Sequence, residues 1–194
     1  MSERRIEVDF YEEIGRAIKE KFLGNLSNPE DYEIKILLHE IKAALQTLIV
    51  DDKLEYPDLR TYASELERLD LDISVLIVNK ATGKFEIVIL EVKKMQAMGL
   101  TQFSQLVGYC LVSGTKFGIL VNVDAGISDR FGIRLDTDKD LTTIERVYRG
   151  KKMVHKFGVM NWDSVGQQFV YTNRGSIKSI PALVELVLGE LNES

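Results

Sequence analysis

The strongest constraint on this chain is a pair of apolar runs joined by a short polar turn. Residues 73–78 read ISVLIV, residues 85–92 read FEIVILEV, and NKATGK lies between them. β-Branched residues at this density favour strands, and Asn79 and Gly83 tolerate the backbone of a tight reversal. A β-hairpin is the expected structure. Its second strand is apolar almost without a break, and such strands are covered on both faces. The chain must therefore build a sheet with helices above and below it.

The segments around the hairpin supply those layers. Residues 9–23 carry Phe10, Ile14, Ala17, Ile18 and Phe22 at helical spacing, with Asp9 as a candidate N-cap. Residues 33–49 are expected to form a second helix, and 51–71 a polar loop leading into an extended piece. Beyond the hairpin, 100–112 reads as a helix and 117–123 as a buried strand. Residues 131–137, 142–150 and 151–160 read as further strands. Ser179 and Pro181 open a last helix, with an apolar stripe of Leu183, Val184, Val187, Leu188 and Leu191. This order predicts an α/β fold: a mixed β-sheet flanked by helices, an α/β/α sandwich. One domain over 1–194 is expected, with its core in 9–123 and a substrate-contacting part in 124–194.

Composition narrows the setting. The single cysteine, Cys110, cannot form an internal disulfide and lies on an apolar helical segment, where a core role is expected. The first residues lack the apolar stretch of a secretion signal, and no run approaches the roughly 20 apolar residues that span a bilayer. A cytoplasmic protein with no membrane partner is the expectation. His39 and His155 stand too far from other ligand types to suggest zinc, and no glycine-rich phosphate loop is present.

The net charge of −5 is unevenly distributed. Residues 1–72 hold 18 acidic and 10 basic side chains, whereas 146–178 hold Arg146, Arg149, Lys151, Lys152, Lys156, Arg174 and Lys178 against Asp163 alone. That asymmetry suits a protein that holds cations at one place and phosphates at another. The basic segment is therefore a candidate nucleic-acid contact, with Tyr148, Trp162 or Tyr171 available for stacking. A solvated basic strand pair accounts for it equally well.

The chemistry concentrates at the end of the second apolar strand. Side chains alternate along a strand, so Glu91 and Lys93 share one face and Val92 points to the other. The midpoint between Asp72 and Glu91 coincides with the midpoint of the turn, so a hairpin without a bulge sets the two acids opposite each other. Opposed residues have Cβ atoms roughly 4.5–5.5 Å apart, where like charges repel unless a cation lies between them. Mg²⁺ suits such oxygen ligands. Lys93 beside it would hold a phosphate oxygen or developing negative charge, or, with a lowered pKa, assist the attacking water.

The sequence LDLDISVLIV…FEIVILEVKK resembles the PD-(D/E)XK nuclease superfamily, with Asp72 as the first acid and Glu91-Val92-Lys93 as (D/E)XK. Leu71 stands where the superfamily's name has proline. Of the four [DE]xK tripeptides here, only this one ends a buried strand and faces an acid across a hairpin. The resemblance extends to a QxxxY helix, carried by Gln105 and Tyr109 on one helical face. It implies a restriction-endonuclease-like fold and a Mg²⁺- or Mn²⁺-dependent nuclease acting on DNA. Asp72 and Glu91 would bind metal with the Val92 carbonyl, Lys93 would assist the water, and Gln105 and Tyr109 would position Lys93 or substrate. For the further acid that many members carry, Glu12 is preferred, with Glu13 and Glu65 as alternatives. A homodimer would allow both strands to be cut. Two rival readings are a nucleic-acid-binding module that has lost cleavage, and a protein-interaction domain suggested by the acidic balance.

Overall fold

The computed structural model describes residues 6–51, 54–148 and 150–192. A 3₁₀ turn at Glu7–Phe10 leads into α1 (Tyr11–Gly24), followed by β1 (Tyr32–Glu40), α2 (Ile41–Asp51) and α3 (Pro57–Glu65). The hairpin is β2 (Asp70–Asn79) and β3 (Phe85–Lys93), followed by β4 (Ala97–Met98), α4 (Leu100–Ser113), β5 (Phe117–Val123) and β6 (Gly126–Ile127). The remainder is α5 (Asp129–Thr137), α6 (Lys139–Thr142), β7 (Thr143–Tyr148), β8 (Lys151–Asp163), β9 (Gln168–Gly175) and α7 (Ile180–Asn192). No helix among the described residues is long and apolar enough to cross a membrane.

The sheet runs β1-β2-β3-β5-β8-β7, with β9 also paired to β8. β3, β5 and β8 are parallel, and β1, β2, β7 and β9 are antiparallel to their neighbours. It is thus a mixed open sheet, with helices on both faces. Ile73, Val75, Val88, Leu90 and Val92 pack on one face against α1 and α7, through Ile14, Ile18, Leu183 and Val187. Leu76, Val78, Ile87, Ile89 and Leu120 pack on the other face against α2, α3, α4 and α5. Each fully buried aliphatic side chain contributes about 1.5–3 kcal/mol, so two continuous cores fix the layers. β3 and β5 lie inside both, as their uninterrupted hydrophobicity requires.

Three expected elements differ. Residues 33–49 are a strand followed by a helix, because EIKILL pairs with β2 and closes its open edge. The strand is irregular at His39, whose φ is 63°, and the switch to helix follows Glu40, whose carboxylate accepts the amides of Lys42 (2.9 Å) and Ala43 (3.1 Å). The expected 51–71 loop contains α3, opened by Pro57 and seated by Leu59, Ala63 and Leu66. Residues 131–137 are helical: Ser128 Oγ accepts the Phe131 amide at 3.4 Å as N-cap, and Phe131 and Leu135 face the core one turn apart. β9 lacks the apolar density of the central strands and gave no such pattern in the sequence.

At the far side of the sheet, Gly158 pairs with Ile177, and a Cβ there would stand 2.3 Å from the Ile177 carbonyl oxygen. Backbone cannot step aside as a side chain can. Gly158→Ala is expected to destabilise the protein by about 1–3 kcal/mol, read as a lower urea midpoint with the same slope. An unchanged midpoint would show that β8 and the 176–179 segment are not closely packed.

Candidate functional site

The hairpin register brings Asp72 to Glu91. Ile73 pairs with Leu90, as a turn without a bulge demands. The irregularity lies on the other side of β2. Leu38 faces Ile73 and His39 faces Leu71, so Asp72 is the residue with no opposite number on β1. A bulge of this kind turns a side chain away from the regular alternation. Asp72 consequently reaches two elements at once. Its Oδ2 accepts the Val92 amide at 2.7 Å, and its Oδ1 accepts the hydroxyl of Tyr11 from α1.

Glu91 shares a face with Ile87 and Ile89, beneath α4, and is 1% exposed. Lys93 follows on the same face, at the strand's end. Its ammonium lies 2.6 Å from Glu91 Oε1, 3.5 Å from Glu7 Oε1 and 3.6 Å from Asp72 Oδ2. The site sits at the carboxyl edge of the parallel strands, where open α/β sheets bind their ligands.

Three carboxylates against one ammonium leave the group net negative, and the titration of its members follows. Burial, then the charge of Asp72, outweigh the bond to Lys93 and push the Glu91 carboxyl up to about 7. Burial also works against the charge on Lys93. The hydrogen bond to Glu91 and the charges of Asp72, Glu91 and Glu7 more than offset it, so the lysine is held above its ordinary pKa. The neighbouring carboxylates thus favour the charged form of Lys93, opposite in direction to the lowered pKa that a water-assisting lysine would need.

Glu7, Tyr11 and Asn122 belong to the site and were not read from the sequence. Glu7 and Tyr11 are one turn apart at the start of the first helical segment, and the Tyr11 hydroxyl also lies 3.4 Å from Glu7 Oε1. Glu7 Oε2 accepts the Lys94 amide at 3.3 Å, and the Lys94 ammonium sits 4.4 Å above the Phe10 ring. The i, i+4 spacing of an acid and a tyrosine was the available signal. Asn122, fully buried beside Lys93 in the β3–β5 register, bonds the backbone of Met95 and Gly126.

Other expected site residues stand apart. Glu12 is exposed on α1, and the acid that reaches Lys93 is Glu7. Glu13 lies on the next position of the same helix, and Glu65 ends α3 rather than lying on a strand. Gln105 Nε2 donates to the Tyr109 hydroxyl at 2.9 Å, so the pair forms on α4 as spaced, but its contact is internal and Gln105 is exposed. Val92, by contrast, stays at the site through its backbone, its amide on Asp72 Oδ2, while its side chain is buried in the core shared with α1 and α7.

The basic segment does not face this site. Lys156 pairs with Phe117 at the opposite end of β5 from Asn122, roughly 16 Å along the strand, and Lys151 and Lys152 lie further still. Arg146 donates to the Leu111 carbonyl and stacks on Tyr148 at 4.6 Å. Lys152 pairs with Glu145 at 2.7 Å and Arg174 with Asp136 at 3.4 Å. Lys178 is exposed after β9, and Arg149 lies outside the described residues. Trp162 is buried edge-on against Phe169 and cannot stack on a base; Tyr171 is partly buried against the core beside α7. Hairpin β7–β8 closes one sheet edge and carries residues 146–156 away from the site. Cys110 is fully buried, its thiol pushed up to about 12 by burial, as a core residue.

The donor chemistry of Glu7, Asp72 and Glu91 suits a hard divalent cation. Their present arrangement converges on the Lys93 ammonium. Among the described residues, no three His, Cys, Asp or Glu side chains form a ready-made cage for an ion. Comparison with protein-family models, curated proteins and solved structures gives no match for this chain.

A raised carboxyl binds more protons in the folded than in the unfolded state between its two pKa values. Stability from Glu91 therefore falls as pH rises from about 4.5 to about 7, and the deficit is complete above that. Without divalent metal, Glu91→Gln is expected to be more stable than wild type at pH 8, on the order of 2 kcal/mol, with the gap closing toward pH 4. Thermal melts across pH in EDTA measure this. A variant less stable than wild type at pH 8 would mean that the bond to Lys93 dominates.

Proposed function

We propose that this protein is a divalent-metal-dependent nuclease that hydrolyses phosphodiester bonds in DNA. The observation that carries the reading is the convergence of Asp72, Glu91 and Glu7 on Lys93 at the carboxyl edge of the parallel strands. A buried acid whose carboxyl is pushed up, beside a second carboxylate and a cation, costs stability and is characteristic of functional sites.

The carboxylates of Asp72, Glu91 and Glu7, with the Val92 carbonyl, would hold Mg²⁺ or Mn²⁺. When bound, the ion would polarise the phosphoryl group and supply hydroxide near neutral pH. Lys93, held charged, would bind a non-bridging phosphate oxygen and stabilise the charge that develops on it. Tyr11 is a positioning residue: its hydroxyl fixes one Asp72 oxygen while the Val92 amide fixes the other. Asn122 keeps the chain after Lys93 from drifting.

A second reading, a DNA-binding protein of the same fold without cleavage, draws on the 2.6 Å pair of Lys93 with Glu91, which a divalent ion would have to loosen. Labelled duplex, single-stranded and branched DNA, incubated in EDTA, Mg²⁺ and Mn²⁺, separates the two. Cutting is expected only with metal. Asp72→Asn, Glu91→Gln and Lys93→Ala should each lower it by at least about a hundredfold, Glu7→Gln should lower it as well, and Glu12→Gln should leave it unchanged. DNA bound but not cut under any condition would favour the second reading; neither binding nor cutting would remove both.

A further inference from the structure

The segment after Lys93 is tied down. Asn122 Nδ2 donates to the carbonyls of Met95 (3.0 Å) and Gly126 (2.8 Å), and its Oδ1 accepts the Met95 amide at 3.2 Å. Ala97 and Met98 then pair with Gly126 and Ile127, and the Ser128 amide donates to the Met98 carbonyl at 2.8 Å. These bonds start α4 and α5 side by side, at a place fixed to the strand that carries Lys93.

Between the two starts lies a cavity of about 330 Å³ lined by Leu100, Ser128, Arg130, Phe131 and Arg134. That is within the size of small-ligand sites, about 300–1,000 Å³. Arg130 and Arg134 are one turn apart on α5, so their side chains leave the helix on the same side. Both are exposed, and among the described residues no carboxylate lines the cavity with them. Lys152, Arg174 and Lys116, by contrast, are each paired with carboxylates: Glu145, Asp136, and Glu86 with Glu190. Leu100, 47% exposed, supplies the apolar surface, backed by Phe131, which is buried on Phe103 at 5.4 Å. Ser128 Oγ accepts the Phe131 amide, which leaves its hydroxyl proton free to donate.

Two forked cations and a hydroxyl donor, with no carboxylate among the lining residues, form a recognition set for phosphate. Apolar surface next to them suits a sugar or the face of a base. We infer that this cavity seats one nucleotide of the bound DNA strand, its phosphate on Arg130 and Arg134 and its sugar and base against Leu100. The inference rests on the nuclease reading of the Asp72–Glu91–Lys93 site and names where the substrate strand lies beside it. Residues 146–156, at the other end of the sheet, have no such part.

Fluorescence anisotropy of the full chain with a labelled DNA oligonucleotide, in EDTA and over a series of salt concentrations, tests this without cleavage. Arg130→Ala/Arg134→Ala is expected to bind about tenfold or more weakly, with a salt slope shallower by about two. Both side chains lie on a helix surface, so the fold should survive, and circular dichroism checks it. The Lys152→Ala/Lys156→Ala control should keep wild-type affinity and slope. If the arginine variant matches wild type in both, the inference is overturned while metal-dependent cleavage can still stand. If wild-type protein binds no DNA at any salt, the inference is overturned, and the metal-dependent cleavage assay decides the nuclease reading separately.

Discussion

The Val92 amide donates to a side chain, Asp72 Oδ2, at the point where the β2–β3 ladder ends. A buried amide left without a partner costs about 1–3 kcal/mol, so Asp72 is part of the hairpin's closure as well as a charged group of the site. The bulge opposite β1 makes the dual role feasible, because a regularly alternating Asp72 could not reach both Val92 and Tyr11. With Asp72 fixed, the positions of Glu91 and Lys93 follow from strand geometry, and the approach of Glu7 follows from Tyr11. Replacing Asp72 by alanine would therefore confound fold and chemistry, and asparagine is the sounder probe.

The same geometry concentrates unfavourable charge. Glu91 is buried beside Asp72, and among the described residues Lys93 is the cation paired with both. Sites that bind cations or act on anions commonly carry such strain, and stability is what they give up for it. Lys93 is thus held charged by its neighbours.

How much of this was legible in the sequence depended on whether the cause was local. The hairpin, the buried central strands and the juxtaposition of Asp72 with Glu91 follow from side-chain alternation and turn length, and all are present. Residues 33–49 misled because EIKILLHEIKAALQTLI is apolar at both helical and strand spacing. What decides it is the open edge of β2, a tertiary demand. The FGIRLDT helix hid behind its short length, although Ser128 was a readable cap. Which acid near the start of α1 reaches the sheet depends on how that segment seats on it, a tertiary feature: Tyr11 meets Asp72, Glu7 lies one turn before it, and Glu12 is exposed. The basic segment looked coherent as a run of charges, but β7 and β8 lead it to the wrong end of the sheet.

Calorimetric titration of Mn²⁺ into the wild-type protein, Asp72→Asn, Glu91→Gln and Glu12→Gln asks most directly whether these carboxylates hold a metal. One saturable site in the wild type, retained in Glu12→Gln and weakened by about tenfold or more in the other two, is the predicted result. Heats that never saturate, or a site equally strong in all four proteins, would contradict a metal centre at Asp72 and Glu91.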